Sequence, residues 1–153
     1  MVTFVTNKGS IREMPKDLSE FLPYLLHRAA EQTSIDFQRH YKDRYGMLRT
    51  EWRVLFHIGH HPGMTAKGIC EIANLHKTKV SRAVRALDEK RFLRRETQDH
   101  DRRSETLSLT KAGLAALDDL GEHAEIFDRA FEDALGPSEL ETLKRSLLKL
   151  IDN

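Results

Sequence analysis

The chain has 153 residues and a mass of 17.7 kDa, which is the length of one ordinary domain. Hydrophobic residues make up 39% and charged residues 32%, at a mean hydropathy of −0.56. This balance excludes a disordered chain, which is less apolar, and a membrane protein, which is less polar. The single cysteine, Cys70, excludes an internal disulfide and is typical of a reducing compartment. The most apolar stretch, Phe21 to Leu26, is short and contains Pro23, so we expect a cytoplasmic protein that does not contact membranes.

The net charge of +1 is distributed unevenly along the chain. Between His76 and Arg103 there are ten lysines and arginines and five acidic residues, whereas residues 105–153 contain five basic and eleven acidic residues. A basic segment beside an acidic one is expected when one face of a protein approaches phosphates and another does not. The charge pattern therefore indicates a polyanion-binding surface in the middle of the chain.

The first part of the chain predicts two helices. Apolar residues recur every three or four positions over residues 18–46, which predicts a long helix that Pro23 either kinks or restarts. Thr50 is predicted to cap a second helix, which should end by Pro62-Gly63. The apolar residues of this second helix are Trp52, Leu55 and Phe56.

Two short helices joined by a tight turn are expected next. Thr65 is predicted to cap the first, and residues 74–76 form the turn. The expected buried side chains are Ile69, Ile72 and Ala73 in the first helix and Val80, Ala83, Val84 and Leu87 in the second. The opposite face of the second helix is basic and rich in hydroxyl groups, with Lys77, Thr78, Ser81, Arg82 and Arg85. Such a helix-turn-helix can place its second helix in the major groove of DNA.

An alternating pattern then replaces the helical one. Residues 92–97 and 105–109 alternate in polarity and are separated by the polar segment Gln98 to Ser104, which predicts a β-hairpin with a charged tip. A hairpin directly after a helix-turn-helix makes the motif winged.

The last part of the chain predicts two more helices. Thr110 is predicted to cap a long helix that ends at Gly136-Pro137, and Ser138-x-x-Glu141 has the pattern of a capping box for the last helix. The predicted fold class is therefore mainly α with a small β-hairpin wing.

A basic helix face is most often an ordinary solvated surface. Here three features together favour nucleic-acid binding. The face carries cations, it adds the short donors Thr78 and Ser81, and it lies next to a hairpin tip with Arg102-Arg103.

Three segments of the sequence resemble the MarR family of bacterial transcription regulators. They are Asn74 to Leu87, the tip Asp101-Arg102-Arg103-Ser104, and Leu107-Ser108-Leu109-Thr110-Lys111-Ala112-Gly113. The order of elements from about Leu18 to Ile151 also matches the family, and the wing followed by L-x-L-T-x-x-G is the most specific feature. Where members of this family usually have proline two residues before the aspartate of the tip, this chain has Asp99.

The resemblance implies one MarR-like domain over residues 1–153 that forms a homodimer. Residues 15–46 and 111–153 would be the dimerisation helices, and residues 50–110 the winged helix-turn-helix lobe. The last two helices support this independently, because their apolar positions exceed the narrow stripe that a small lobe could cover. A two-fold dimer would bind a palindromic operator with half-sites about 34 Å apart.

The resemblance also implies a sequence-specific DNA-binding transcription regulator, interpreted here as a repressor. No enzymatic activity is expected. Arg103 would enter the minor groove, with Asp101 supporting it at the tip. The predicted DNA-binding residues are Lys77, Thr78, Lys79, Ser81, Arg82, Arg85, Arg102 and Arg103.

Regulators of this family commonly respond to small aromatic or phenolic acids, so the resemblance implies an effector of that class. The predicted lining of its pocket is Phe21, Tyr24, His27, Arg28, Trp52 and Phe56. Simple core packing is the alternative interpretation of these residues. No cofactor is expected.

Four other interpretations remain open at this stage. His57, His60 and His61 have the spacing of metal ligands, although histidines also favour helix ends. Cys70 is either a redox switch or a small core residue. A winged-helix module that binds only protein would have an apolar or acidic recognition face, which the basic segment contradicts. For an enzyme, no nucleophile elbow, phosphate loop or carboxylate pair is present in the sequence.

Overall fold

A computed structural model describes residues 17–98 and 101–152, apart from the side chains of residues 98 and 101–104. Within these residues it contains a 3-10 helix (Leu18–Glu20), six α-helices and three β-strands. The helices are α1 (Leu22–Tyr45), α2 (Arg49–His60), α3 (Ala66–Ala73), α4 (Lys77–Glu89), α5 (Lys111–Leu135) and α6 (Pro137–Ile151). The strands are β1 (Met64–Thr65), β2 (Leu93–Gln98) and β3 (Asp101–Leu109). The predicted fold class, mainly α with a small β wing, is confirmed.

The contacts divide the chain into two compact units. We call residues 36–124 the lobe unit, and residues 17–35 with 125–152 the terminal unit. The lobe unit contains the whole of the predicted lobe 50–110 and adds the end of α1 and the beginning of α5. None of the described helices combines the length and apolar character that crossing a membrane requires.

The hydrophobic core of the described chain lies in the lobe unit. Its fully buried side chains come from α1, α2, α3, α4, the sheet and α5, and the largest are Tyr41, Met47, Leu55, Ile58, Ile69, Leu87, Leu107 and Leu120. Burying one aliphatic side chain of this size contributes roughly 1.5–3 kcal/mol. The terminal unit, by contrast, has no fully buried residue among those described.

The start of α1 confirms one of the two roles predicted for Pro23. This residue is second in α1, which begins one residue after the 3-10 helix ends, so it restarts the helix instead of kinking it. The other end of α1 leads into Gly46, whose φ of +59° belongs to the left-handed region that favours glycine.

Two of the four predicted helix caps are confirmed. The Thr65 hydroxyl accepts a hydrogen bond from the Gly68 N–H at 3.2 Å, and the Thr110 hydroxyl accepts one from the Gly113 N–H at 3.1 Å. Both are side-chain caps that satisfy a free donor in the first helical turn.

The caps predicted at Thr50 and Ser138 are wrong. Helix α2 begins at Arg49 because the Glu51 carboxylate, held by Lys90 at 3.2 Å, accepts a hydrogen bond from the Leu48 N–H. Helix α6 begins at Pro137, whose fixed φ favours the first helical position, after Gly136 at φ +81°. Ser138 therefore lies inside the first turn.

The prediction that Ile72 is buried is also wrong. Ile72 is 52% exposed, whereas Ile69 and Ala73 are buried. The latter two lie four residues apart and share one helix face, and α3 buries only that narrow face.

The wing is the outer part of a three-stranded antiparallel sheet of order β1-β3-β2. The hairpin β2–β3 is confirmed, with Leu93 opposite Leu109 and Arg95 opposite Leu107. The predicted polar tip is shorter than expected, because the strands extend to Gln98 and from Asp101. The sequence did not predict β1, since a two-residue strand has no period to detect.

Candidate nucleic-acid interface

The helix-turn-helix consists of α3, a three-residue turn and α4. Asn74 adopts the left-handed conformation at φ 48° and ψ 49°, which asparagine tolerates better than most residues. The Leu75 N–H then donates to the Cys70 carbonyl at 3.1 Å, and the His76 ring nitrogen Nδ1 accepts from the Thr78 N–H at 3.3 Å. The chain therefore reverses within three residues and starts α4 with a histidine cap.

Helix α4 has one buried and one exposed face, as predicted. Its buried residues are Val80, Ala83, Val84 and Leu87. Its exposed residues include all six of the predicted contacts, Lys77, Thr78, Lys79, Ser81, Arg82 and Arg85. The first turn of α4 contains no acidic residue, so the positive end of the helix dipole adds to the cations there.

The cations of this face differ in their partners. The guanidinium of Arg85 forms an ion pair with Glu89 at 2.8 Å on the same helix. Lys77, Lys79 and Arg82 form no ion pair with any side chain that the structure describes. Three cations at the first two turns of α4 are thus available to an anionic partner, and Arg85 is partly neutralised.

A shallow depression of about 220 Å³ lies between the start of α2 and α4. Thr50 at the first turn of α2 lines it together with Lys79 and Arg82. A hydroxyl beside two cations is a common arrangement at DNA phosphates. Sequence reasoning assigned Thr50 to capping and missed this position, which only the packing of α2 against α4 brings close to the basic face.

The wing contains two sets of ion pairs. In the first set, Arg94 pairs with Glu96 of the same strand at 2.9 Å. In the second set, Arg95 Nε donates to Asp88 at 3.0 Å, and Arg95 Nη1 donates to Glu105 at 3.2 Å. The second set connects the last turn of α4 with both strands of the wing.

The tip residues cannot be placed in the same way. The side chains of Asp101, Arg102 and Arg103 lie outside the described residues, although their backbone belongs to β3. Their predicted roles at the minor groove remain predictions.

A cleft of about 520 Å³ lies between α3, α4 and the sheet. Its apolar wall includes Ala66, Cys70, Val84 and Leu107, and charged side chains surround it. Cys70 is a free, half-buried thiol on this wall.

The three histidines predicted as alternative metal ligands lie at the end of α2. His60 Nδ1 lies 2.8 Å from the Phe56 carbonyl oxygen, and its ring stacks on that of Phe56. Burial lowers the pKa of His57, and the nearby Arg53 lowers it further. The described residues contain no group of three or more histidine, cysteine or acidic side chains that could hold a metal ion.

The residues predicted to line an effector pocket belong to both units. Tyr24 and Arg28 of the terminal unit are connected by a hydrogen bond of 3.4 Å, and His27 lies 3.6 Å from Glu31. Phe21 of the same unit is exposed. The other two predicted residues, Trp52 and Phe56, form an edge-to-face pair in the lobe unit, with ring centroids 5.5 Å apart.

A polar cluster in the lobe unit was not predicted from the sequence. One oxygen of Asp119 on α5 accepts hydrogen bonds from the Tyr45 hydroxyl at 2.8 Å and from His40 Nε2 at 3.0 Å, and Arg44 lies 3.4 Å away. The ring of His123 stacks on that of His40 at 3.8 Å. The hydrogen bond from Tyr45 lowers the pKa of Asp119, and burial lowers the pKa of His123.

Part of the sequence matches a known family. Residues 45–104, which contain α2, α3, α4 and the beginning of the wing hairpin, match the sequence model described as the MarR family. The chain is also 21% identical over 128 residues to YwaE of Bacillus subtilis (strain 168), described as an uncharacterized HTH-type transcriptional regulator. This match covers 84% of the chain and 75% of YwaE.

Solved structures have the same fold over most of the chain. A MarR/EmrR family transcriptional regulator from Acinetobacter sp. ADP1 matches with a TM-score of 0.77 at 21% identity, covering 89% of this chain and 96% of that one. BpsR of Bordetella bronchiseptica, whose DNA binding is regulated by 6-hydroxynicotinic acid, matches with a TM-score of 0.81 at 21% identity, covering 92% and 99%. The chain is therefore similar to the MarR family in the sequence of its helix-turn-helix and the beginning of its wing, and it shares the fold of solved MarR-family structures over most of its length.

Proposed function

We propose that the protein is a homodimeric, sequence-specific DNA-binding regulator that represses transcription from a palindromic operator and is released by a small aromatic or phenolic effector. It acts by binding and performs no catalysis. The observation that carries the proposal is the exposed face of α4, where Lys77, Lys79 and Arg82 have no ion-pair partner among the described residues. Unneutralised cations on a helix after a tight turn are what phosphate and base-edge contacts require.

Each element has a defined task in this proposal. Helix α4 enters the major groove, with Thr78, Ser81 and Arg82 towards the bases and their flanking phosphates. Thr50 at the start of α2 adds a phosphate contact. Arg103 enters the minor groove from the wing tip, with Arg102 beside it and Asp101 supporting it.

Dimerisation is supported by the terminal unit. Large apolar side chains are exposed there without a covering element, and they are Leu18, Phe21, Leu22, Leu25, Ile35, Ile126, Leu143, Leu148, Leu150 and Ile151. An exposed apolar surface of this extent is typical of a protein interface. A second copy with two-fold symmetry covers it economically and presents two α4 helices to successive major grooves.

The effector class is supported by the regulation of BpsR by 6-hydroxynicotinic acid. In this chain Phe21, Tyr24, Trp52 and Phe56 offer aromatic surface for such a ring, and His27 and Arg28 offer donors for its acidic group. An effector would act by favouring a spacing of the two lobes that does not fit the operator.

The decisive experiment titrates the purified protein with duplexes from upstream of its own gene. Binding is measured against scrambled duplexes and at several salt concentrations. We expect salt-sensitive binding of two chains to one palindromic duplex, and release by 6-hydroxynicotinic acid or a related aromatic acid. Equal binding of operator and scrambled duplexes at every salt concentration would contradict the proposal.

A substitution in α4 tests the contact surface itself. Replacing Arg82 with alanine should weaken operator binding and lower the slope of log K against log salt by about 1, because one phosphate contact is lost. The matched control is Arg145→Ala, which removes an exposed arginine from α6 in the terminal unit. An unchanged slope in Arg82→Ala would remove this residue from the interface.

A further inference from the structure

Arg95 holds a distinctive place in the wing. On β2 the side chains of Leu93 and Arg95 point to the same face of the sheet, since residues two apart in a strand share a face. Leu93 and Leu107, which lies opposite Arg95 on β3, are buried in the core, whereas Arg95 lies at the edge of that core, where the strands extend into solvent. The hydrophobic core thus fixes the root of the wing, and Arg95 is the next inward-facing position.

At that position Arg95 joins two elements. Its Nε donates to Asp88 on the last turn of α4, and its Nη1 donates to Glu105 on β3. The two bonds use different nitrogens of one planar guanidinium, so they also fix the orientation of that group. No other described side chain of β2 or β3 forms an ion pair with α4.

We propose that Arg95 is a positioning residue that fixes the wing relative to α4 through Asp88 and Glu105. It thereby sets the distance between the major-groove contacts of α4 and the minor-groove contact of the tip. The inference deepens the proposed function and rests on it for its effect on DNA binding. The fixed wing itself is a property of the free protein.

The geometry separates this role from a direct contact with DNA. A phosphate contact needs an available cation, but Arg95 is already neutralised by two carboxylates at 3.0 and 3.2 Å. In Lys77 and Arg82 the opposite holds, because no described ion-pair partner competes there. Arg95 therefore contributes through the wing and not through its own charge.

For the removal of either carboxylate, the proposal and simple electrostatics predict opposite changes in operator affinity. Asp88→Asn and Glu105→Gln each remove a negative charge near the proposed DNA surface, which by electrostatics alone strengthens binding. If the carboxylates hold Arg95 and thus the wing, both variants instead bind the operator about five- to tenfold more weakly, the low end of the cost of a lost groove contact. The two effects have opposite directions and cannot be confused.

Glu96→Gln is the matched control. It also removes one carboxylate from an arginine pair in the wing, but Arg94 and Glu96 belong to the same strand and do not connect the wing with α4. This variant should bind the operator as tightly as the parent chain or more tightly. Weakening of Glu96→Gln to the same degree as Asp88→Asn would overturn the proposal.

Coupling to the tip provides a readout that a general loss of stability does not change. Arg103→Ala should weaken operator binding in the parent chain but have little further effect in an Arg95→Gln background, because the tip is then no longer held in place. Additive effects, together with a salt slope lowered by about 1 in Arg95→Gln, would assign a direct phosphate contact to Arg95 and overturn the positioning role.

A measurement without DNA completes the experiment. Backbone order parameters from 15N relaxation report the fast motion of residues 94–97 and 105–107, and values near 0.85 indicate a rigid backbone. They should fall in Asp88→Asn and Glu105→Gln but not in Glu96→Gln. Unchanged values in both would refute the inference about the wing even if DNA binding is confirmed. Falling values in a protein that prefers no duplex would retain the fixed wing and reject the proposed function.

Discussion

Gly113 shows how one residue determines the contact between the wing and α5. A Cβ atom at this position would overlap the backbone carbonyl oxygen of Phe92, which cannot move away because it also accepts a hydrogen bond from the Thr110 N–H at 3.0 Å. The Thr110 hydroxyl in turn donates to the Arg91 carbonyl at 2.7 Å. The L-T-x-x-G pattern of the sequence therefore reflects a close approach between the backbones of Gly113 and Phe92, which the hydrogen bonds of Thr110 hold in place.

Replacing Gly113 with alanine should consequently destabilise the protein by about 1–3 kcal/mol, since backbone must shift to admit the methyl group. Gly121→Ala is the control on the same helix, where nothing lies within 4 Å of the added atom. This change should stabilise the protein by about 0.5–1 kcal/mol through helix propensity. Urea unfolding measures both, and equal effects of the two substitutions would contradict the account of Gly113.

Arg91 carries backbone strain. Its φ of 59° lies in the left-handed region, where a residue with a Cβ atom costs about 1–2 kcal/mol relative to glycine. We expect Arg91→Gly to raise the free energy of unfolding by about 1 kcal/mol, a net gain after the higher entropy of glycine in the unfolded chain. The neighbouring Lys90→Gly should lower it, because Lys90 has a right-handed conformation and an ion pair with Glu51. A loss of stability in Arg91→Gly would show that its backbone is not strained.

At the scale of the element, α1 and α5 meet within the lobe unit through a stacked pair of histidines. The ring of His123 stacks on that of His40 at 3.8 Å and on that of Phe37 at 5.9 Å. Burial, with a smaller effect of His40, holds the pKa of His123 below its ordinary value of 6.5, and Asp119 partly opposes this shift. Protonation of His123 is thus less favourable in the folded protein than in the unfolded chain.

The lowered pKa of His123 determines the direction in which stability changes with pH. Because the folded pKa is depressed, the stabilising contribution of neutral His123 is present above pH 6.5 and is lost as the pH falls through the lower folded value. His123→Phe keeps a stacking ring but cannot be protonated, so its free energy of unfolding should decrease less between neutral and mildly acidic pH. Denaturant unfolding at a series of pH values measures this difference. Identical pH profiles for the two proteins would exclude His123 as the titrating group.

The elements also show which parts of the fold are encoded locally. Thr65 and Thr110 were predicted as caps because a cap depends on a hydroxyl and the three residues after it. The start of α2 was not, since Lys90 at the C-terminal end of α4 holds Glu51 from 39 positions away in the sequence. No local pattern contains that condition. The start of α6, by contrast, follows from the local pair Gly136-Pro137, and the capping-box pattern of Ser138 and Glu141 led to the wrong residue.

In the candidate site, too, some residues follow from a local pattern and others do not. The exposed face of α4 followed from periodicity alone, because its cations lie opposite a regular apolar stripe. The bond from Arg95 to Glu105 and those to Asp119 join residues that are 10, 74 and 79 positions apart. Such pairs form only when the sheet and helices pack, so no pattern in the sequence predicts them.

At the scale of the whole molecule, the proposed dimer predicts a change of assembly. Helix α6 exposes Leu143 and Ile151, and no residue of this helix is fully buried. Leu143→Glu should dissociate the dimer, as measured by sedimentation, because a charge would enter the apolar interface. Operator binding should weaken with it, since one lobe contacts only one half-site.

The control for assembly is Ile72→Glu. This residue of α3 is also exposed and apolar, but it belongs to the lobe unit. It should leave the sedimentation coefficient unchanged. If Leu143→Glu sediments as the parent chain does, α6 is not part of a dimer interface.

Trp52 is the single tryptophan of the chain, and its half-buried ring lies 5.1 Å from that of Phe37 and 5.5 Å from that of Phe56. Its intrinsic fluorescence therefore reports from one known place, where the ends of α1 and α2 meet in the lobe unit. Unfolding of this unit shifts the emission towards longer wavelengths as the ring enters water. Binding of the proposed aromatic acid against Trp52 would quench the same signal, so titrations with such an acid and with denaturant would both be read optically from the unlabelled protein.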